Sequence, residues 1–394
     1  MEAPALSRLA AEAGETTGAE EAEAVLARLD AAARRHETPC GEGRMVWRAW
    51  GEGPPLVLLH GGSGSWRHWV RNVAHFARSR LVLAPDLPGL GESAMPPSPS
   101  GPGDSAAVVA AGLRALLGAT ARYDLVGFSY GANIAGHVAA AEGERVRSLT
   151  IVGAGALGLP RGHTPLEKVR DKQGGARVAA HRFNLASLMF ADPARIDALA
   201  LVIQEWNTVH ARLRSRPLAH TPVLRDAIAR ASAPLAAIYG ERDAIAWPNL
   251  HLRLALLREL RPSAAIRVIP GAGHWVAYEA AEAFNAALVA VLRGRGGAPC
   301  ERSRGPPAGC GFPPPPPAPS PADQPPRRRR LGGVPAQLGA QGRCRPPASR
   351  SDGASRGVER RCGQRAPIPA GTPPRRKGAA GAGAAAPSCR HSRD

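Results

Sequence analysis

Short apolar runs recur along the chain, each followed by glycine, proline or an acidic residue. They occupy residues 56–59, 81–84, 125–128, 148–152, 235–239 and 266–269. Longer stretches with helical periodicity separate them, for example residues 106–117 and 131–141. Continuous apolar strands that alternate with helices are typical of a mostly parallel sheet covered by helices on both faces. The pattern therefore predicts an α/β fold.

One long insertion interrupts this alternation. Residues 157–232 contain helical segments at 179–190 and 196–213, with Asp192 and Pro193 as a helix-start signal, and no convincing strand. Helices inserted late in such a sheet are expected to form a cap over an active site. We predict four parts: a leading helical segment at 1–43, a core at 44–156 and 233–293, a helical cap at 157–232 after the sixth strand, and a tail at 294–394.

Composition separates the tail from the rest of the chain. Residues 294–394 contain 19 basic and 5 acidic residues, so they carry +14 of the formal net charge of +19. They also contain 20 of the 39 prolines, and Phe312 is their single aromatic residue. Such a segment buries too little apolar surface to offset the entropy of ordering it, so we predict a disordered, basic tail.

The cysteines and the amino terminus bear on the compartment. Five of the six cysteines lie in the tail, without zinc-ligand spacing, and Cys40 is the single cysteine of the predicted core. Residues 1–14 lack the apolar segment of a secretory signal, and no run reaches the length of a membrane span. We expect a cytoplasmic protein with no membrane association, no metal and no disulfide-dependent stability.

The segment Gly127-Phe-Ser-Tyr-Gly131 has the form Gly-x-Ser-x-Gly between a predicted strand and a predicted helix. A sharp turn in that position strains the serine and exposes its hydroxyl, while the flanking glycines avoid collisions. Ser129 is therefore the predicted nucleophile. The Tyr130 backbone N–H, at the start of the following helix, is expected to face the oxyanion that forms on attack.

A glycine-rich loop follows the strand at 56–59 and reads His60-Gly-Gly-Ser-Gly-Ser65. Gly62 has no side chain in the way of a substrate, so its N–H is the predicted second oxyanion donor. A plain strand-to-helix turn is the alternative for such a loop. His60 is interpreted as a residue that stabilises the loop, because a better candidate for the catalytic base lies further along the chain.

That base is His274, which lies on a loop just after the strand at 266–269. Asp243 follows the preceding strand at 235–239, and its carboxylate is expected to orient the histidine and stabilise the imidazolium. Glu241 competes with Asp243 for this role, and Asp243 fits the loop position better. The three residues occur in the chain order Ser129, Asp243, His274. This order is the one found with a Gly-x-Ser-x-Gly nucleophile turn.

With these motifs in place, residues 44–293 resemble the α/β-hydrolase superfamily. The turn at 86–93, Asp-Leu-Pro-Gly-Leu-Gly-Glu-Ser, is similar to a structural turn of that superfamily. Gly273-His-Trp275, with Glu279 and Asn285 downstream, is similar to the meta-cleavage product hydrolases, which split a carbon–carbon bond in ring-opened aromatic catabolites. A serine nucleophile sets the chain apart from haloalkane dehalogenases and epoxide hydrolases, which need a carboxylate.

The chain departs from the meta-cleavage product hydrolases at the substrate side. Its oxyanion loop is shorter, Phe128 replaces an asparagine, and Glu205 stands near the place of their cap arginine. Arg182, Arg212 and Arg214 are the candidates to substitute for that arginine. The side chains expected to contact the substrate are Phe128, Trp275 and Ser63.

The resulting prediction is a serine hydrolase that acts on a small carboxylic ester or a related acyl compound, through an acyl-enzyme and without a cofactor. Carbon–carbon bond hydrolysis in aromatic catabolism is the alternative, and a ligand-binding protein on a hydrolase scaffold is a further one. Nucleic-acid binding by the tail is a further hypothesis, based on the basic runs Arg327–Arg330 and Arg375–Lys377. The tail lacks the interleaved aromatic residues that stack bases, which counts against it. A homodimer is left open, since dimers are common in this fold.

Overall fold

The computed structural model describes residues 18–214 and 220–294. All of these described residues belong to one compact unit. The predicted tail lies outside the described residues except for Gly294, as do residues 1–17 of the predicted leading segment.

An eight-stranded sheet forms the centre of this unit, in the order β1-β2-β4-β3-β5-β6-β7-β8. The pairs β1–β2 and β2–β4 are antiparallel, and every other neighbouring pair is parallel. The predicted α/β fold with a mostly parallel sheet is confirmed. The strands are β1 Arg34–Cys40, β2 Gly43–Trp50, β3 Pro55–Leu59, β4 Leu81–Pro85, β5 Tyr123–Phe128, β6 Val146–Val152, β7 Leu235–Gly240 and β8 Ala265–Ile269.

Helices cover both faces of the sheet. Alternate residues of β3 show how the core divides, because Leu56 and Leu58 pack into the cluster on one face and Val57 and Leu59 into the cluster on the other. The helices are α1 Ala19–Ala31, α2 Val73–Phe76, α3 Pro102–Leu117, α4 Tyr130–Glu142, α5 Gly174–Leu188, α6 Ala198–Val209, α7 Val223–Arg230, α8 Leu250–Leu260, α9 Val276–Glu279 and α10 Ala281–Arg293, with short 3₁₀ turns at Trp66–Trp69, Gly143–Arg145 and Pro193–Arg195.

The first two strands correct the predicted boundary at residue 44. The sheet begins at Arg34, within the segment that was expected to be helical, and α1 ends earlier, at Ala31. Strand β1 is an edge strand in which Thr38 and Cys40 are the buried side chains, so it carries no apolar run. The pattern missed it because a strand that is paired on one side and mostly exposed does not need apolar residues.

The connection between β6 and β7 is helical, as expected. Its last helix, α7, packs with the core, although it falls within the predicted cap. In α7, Leu224 and Ala227 pack against Gly136 of the core helix α4. Residues 223–230 therefore pack on a helix of the core, whereas the predicted cap extended to residue 232. That the remaining helices α5 and α6 act as a lid stays a prediction.

None of the helices within residues 18–214 and 220–294 combines the length and apolar character that a bilayer span requires.

Candidate active site

A strained turn joins β5 to α4. Ser129 has φ 51° and ψ −111°, a left-handed conformation that a non-glycine residue adopts rarely. The two flanking glycines are required by space, because a Cβ on Gly131 would lie 2.3 Å from the Leu59 carbonyl oxygen and one on Gly127 would lie 2.3 Å from the Gly131 carbonyl oxygen. The turn holds Ser129 at the carboxyl end of the central strand, at the beginning of a helix.

The structure brings Ser129, His274 and Asp243 into one series of hydrogen bonds. The Ser129 hydroxyl lies 3.0 Å from His274 Nε2, and His274 Nδ1 lies 2.9 Å from both carboxylate oxygens of Asp243. With the carboxylate ionised, Nδ1 carries the imidazole proton and Nε2 is free to accept from the serine. The three residues follow β5, β8 and β7, whose carboxyl ends meet at one edge of the sheet.

Asp243 is fully buried, yet it remains ionised. Burial by itself raises the pKa of this carboxyl, but the charge and hydrogen bonds of His274 outweigh burial and leave the pKa below its ordinary value. The Ile245 backbone N–H also donates to Asp243 Oδ1 at 2.8 Å. Asp243 can therefore stabilise a positive charge on His274.

Gly153 was not identified from the sequence, although it makes room for the Asp243–His274 pair. It follows β6 with φ 53°, and a Cβ there would lie 3.0 Å from both Asp243 Oδ2 and His274 Nδ1. A side chain at this position would push the pair apart and strain the backbone. Its only sequence signal was a glycine directly after a predicted strand.

The two predicted oxyanion donors have free N–H groups. Within residues 18–214 and 220–294, neither the Gly62 nor the Tyr130 backbone N–H donates a hydrogen bond. The neighbouring Gly61 N–H is already used, because it donates to His68 Nδ1 at 3.2 Å. The loop thus leaves the N–H of Gly62 available, and the assignment of both donors to an oxyanion stays a prediction.

Two buried histidines support the glycine-rich loop at residues 60–65. His60 donates from Nδ1 to the Gly61 carbonyl oxygen and accepts from the Leu87 N–H at Nε2, both at 2.8 Å, so neither nitrogen is free for proton transfer. His68 accepts from Gly61 and lies edge-on to the rings of Phe128 and Trp275. Burial lowers the pKa of both histidines, and for His68 the nearby histidines add to the effect.

These lowered pKa values predict that stability falls in acid. A histidine whose pKa is lower in the folded than in the unfolded state stabilises the fold above pH about 6.5, the unfolded value, and this contribution is lost as the pH falls below it. Each such histidine changes the free energy of unfolding by up to about 1.4 kcal/mol per pH unit. We expect His68→Gln to flatten the fall between pH 6.5 and 5, measured by urea unfolding.

The exposed His251 provides the matched control for this measurement. His251→Gln should keep the wild-type slope, because it replaces an exposed side chain outside the buried core. Parallel pH profiles for wild type and His68→Gln would show that His68 does not titrate on unfolding as its burial implies.

The three predicted substrate contacts lie in different surroundings. Trp275 has no exposed surface, donates from Nε1 to the His68 carbonyl oxygen and stacks on Tyr278 with ring centroids 4.2 Å apart. Phe128 is 1% exposed, and its ring centroid lies 5.0 Å from that of His274. Ser63 is exposed, with φ 47°. The two rings therefore pack around the histidines, and their contact with substrate stays a prediction.

Glu279 is a second residue whose role the sequence did not reveal. Its buried carboxylate accepts backbone hydrogen bonds from Gly273 at 2.6 Å, from Asp192 at 2.9 Å and from Ala191 at 3.0 Å. Gly273 precedes His274, and the other two donors belong to the inserted segment between β6 and β7. One carboxylate thus fixes the histidine loop and ties the inserted segment to it.

Replacing Glu279 with glutamine should lower both activity and stability. The amide NH₂ would take the place of one carboxylate oxygen and face the N–H groups that now donate to it, from Gly273 at Oε2 or from Ala191 and Asp192 at Oε1. Hydrogen bonds to a charged acceptor contribute about 1.5–3 kcal/mol. For a domain of this size we expect the Tm to fall by roughly 4–10 °C and kcat to fall about tenfold, because His274 is held less firmly. Glu282→Gln, at an exposed position on α10, is the control and should change neither quantity in thermal unfolding and ester assays.

The three arginines that were candidates for substrate recognition are committed elsewhere or lie at the surface. Arg182 donates to the Ile196 carbonyl oxygen at 2.9 Å, within the inserted segment. Arg212 donates to the carbonyl oxygen of Gly91 at 3.0 Å, and Arg214 is exposed. Glu205 pairs with Arg177 and His181. Of the three candidates, Arg182 and Arg212 thus donate to backbone carbonyls, and Arg214 lies at the surface.

Comparison with known proteins gives one family and a range of relatives. The "Alpha/beta hydrolase family" matches residues 56–287. One relative is the dihydrolipoyllysine-residue acetyltransferase component of the acetoin cleaving system of Pseudomonas putida. It is 33% identical to this chain over 254 residues, and the aligned region covers 61% of this chain and 64% of that protein. This chain therefore spans slightly less than two thirds of that relative.

A second relative is covered more completely. The chain is 30% identical to a 2-hydroxy-6-oxononadienedioate/2-hydroxy-6-oxononatrienedioate hydrolase of Paraburkholderia phymatum, over 60% of this chain and 86% of that one. Among solved structures, a thermophilic esterase of Thermogutta terrifontis superposes with a TM-score of 0.54 and 24% identity, over 67% of this chain and 99% of that one. At that identity the superposition reflects the shared fold.

Proposed function

Because the chain belongs to the alpha/beta hydrolase family, we propose that it is a serine hydrolase that cleaves a small carboxylic ester through an acyl-enzyme. The observation that carries this proposal is the continuous series of hydrogen bonds from Ser129 through His274 to Asp243. The strained turn at Ser129 adds support, since it presents the hydroxyl at the start of a helix.

In the proposed mechanism Ser129 Oγ attacks the ester carbonyl carbon while His274 Nε2 takes its proton. The N–H groups of Gly62 and Tyr130 stabilise the oxyanion, at about 3–4 kcal/mol for each donor. His274 then gives the proton to the departing alkoxide, so that the alcohol leaves and an acyl-enzyme remains. Water repeats the sequence on the acyl-enzyme, which releases the carboxylic acid and restores the Ser129 hydroxyl.

Carbon–carbon bond hydrolysis is the second candidate. It is favoured by the similarity to the Paraburkholderia phymatum hydrolase, of which the match covers 86%. The same three residues could act on a ring-opened dienoate, but such a substrate carries a carboxylate that needs a cation in the pocket. The engaged Arg182 and Arg212 count against it, so we place the ester first.

The test compares kcat/KM of the full chain for p-nitrophenyl butyrate and for a 2-hydroxy-6-oxo-dienoate. We expect turnover of the ester and little or none of the dienoate. A preference for the dienoate would replace the ester proposal with the carbon–carbon one. Failure to turn over either compound, in a protein that is folded by circular dichroism, would favour a ligand-binding protein on this scaffold.

A further inference from the structure

A cavity of about 910 Å³ lies between α1, α5 and α6, beside the 3₁₀ turn at Trp66–Trp69. Neither the triad nor Gly62 is among the described residues that line it. Its wall is mostly apolar, and a cavity of this volume accommodates a small organic molecule. The apolar side chains that line it include Leu26, Ala27, Leu201, Val202 and Val209.

Arg67 is the cation on this wall. Its guanidinium carbon lies 3.5 Å from the ring centroid of Trp206, which in turn stacks on His210 with centroids 3.9 Å apart. Its Nε and Nη1 are buried, and within residues 18–214 and 220–294 neither has a hydrogen-bond acceptor. The Trp206 ring thus contacts a guanidinium whose Nε and Nη1 have no hydrogen-bond acceptor.

The carboxylates near Arg67 are used by other groups. Asp30 pairs with Arg48, with Nε and Oδ1 2.5 Å apart. Asp86 accepts from the Trp66 backbone N–H at 2.9 Å and also from Arg48 at 3.4 Å. Neither carboxylate turns to Arg67, although Asp30 lines the same cavity.

On the opposite wall of the cavity, the acidic Glu205 is paired with basic side chains. Glu205 accepts from Arg177 Nε at 2.7 Å and from His181 Nε2 at 2.6 Å.

Burial lowers the pKa of Arg67 to about 10, because it outweighs the attraction of the nearby carboxylates. Arg67 is half-buried, and a partly desolvated cation with unpaired donors is costly, so an anion that reached it would be bound favourably.

We propose that this cavity binds a small carboxylic acid anion with an apolar body, whose carboxylate accepts from Arg67. The body would lie against the apolar side chains of α1 and α6, and the face of Trp206 would fix the guanidinium in place. The site adjoins the oxyanion loop, since Ser65 donates to Asn207 of α6 at 2.7 Å. It does not depend on the hydrolase activity proposed above.

Isothermal titration of the full chain with hexanoate tests this site. We expect Arg67→Gln to raise the Kd about tenfold or more, because it removes a charge-assisted hydrogen bond. Arg258→Gln, at an exposed position outside the cavity, should keep the wild-type Kd. An equal Kd in wild type and Arg67→Gln would overturn the proposal.

Two further measurements keep the result independent of folding. Hexanamide should bind wild type about tenfold more weakly than hexanoate, and the two should bind Arg67→Gln alike. Without ligand, Arg67→Gln should melt at or above the wild-type Tm, because it removes a half-buried charge whose Nε and Nη1 are unpaired. A lowered Tm together with unchanged hexanoate binding would assign Arg67 a packing role against Trp206 and reject the site.

Discussion

Replacing Ser129 with alanine should reduce kcat for p-nitrophenyl butyrate by roughly 10⁵-fold or more. The proposed mechanism has no acyl-enzyme without the hydroxyl, and what remains is catalysis by the oxyanion donors and binding. Because Ser129 occupies a strained conformation at φ 51°, alanine keeps the same strain and adds no bulk, so the fold should persist. Steady-state kinetics and thermal unfolding measure the two effects.

Ser79→Ala is the matched control, since Ser79 is exposed and remote in sequence from the three proposed catalytic residues. It should leave both kcat and Tm at wild-type values. Ester turnover by Ser129→Ala at more than a few per cent of the wild-type rate would mean that another group performs the chemistry, and the proposed nucleophile would have to be abandoned.

Replacing Asp243 with asparagine should lower kcat by roughly 10⁴-fold. Asp243 Oδ1 accepts from the Ile245 N–H, so the asparagine oxygen is expected there and the amide NH₂ at the Oδ2 position, 2.9 Å from His274 Nδ1. That NH₂ favours the tautomer with the proton on Nε2, which cannot accept from Ser129. The loss of the negative charge also removes the stabilisation of the imidazolium.

Glu241 provides the comparison, because it competed with Asp243 in the sequence. Its exposed carboxylate accepts from the Gly271 N–H at 2.9 Å, a bond that a glutamine oxygen can also accept. Glu241→Gln should therefore stay within about twofold of the wild-type kcat. A large loss in Glu241→Gln and a small one in Asp243→Asn would reverse the assignment of the carboxylate.

Local patterns in the sequence were sufficient for the parallel strands and for the candidate triad. Five of the six predicted apolar runs lie in strands that are paired on both sides, where nearly every side chain must be apolar. The glycines around Ser129 indicated the sharp turn because that backbone leaves no room for larger residues. Ser129, Asp243 and His274 could be chosen because each follows its own strand.

The same local patterns failed where one side of an element is exposed or where a polar residue is satisfied over a long distance. Strand β1 exposes most of its side chains, so its sequence carries no apolar run. Glu279 resembles many surface carboxylates in sequence, and its hydrogen bonds to Ala191 and Asp192 span 88 and 87 residues. The pattern around a residue does not report such partners.

By itself, then, the sequence determined the α/β order of the elements and the identity of the residues that stand at the ends of the central strands. The tertiary structure decided that Glu279 holds the histidine loop and that Arg67 lies on the wall of a cavity with its Nε and Nη1 unpaired. The physical reason is that periodicity reflects which side of an element is buried, whereas hydrogen bonds and charge pairing depend on partners that only folding brings together.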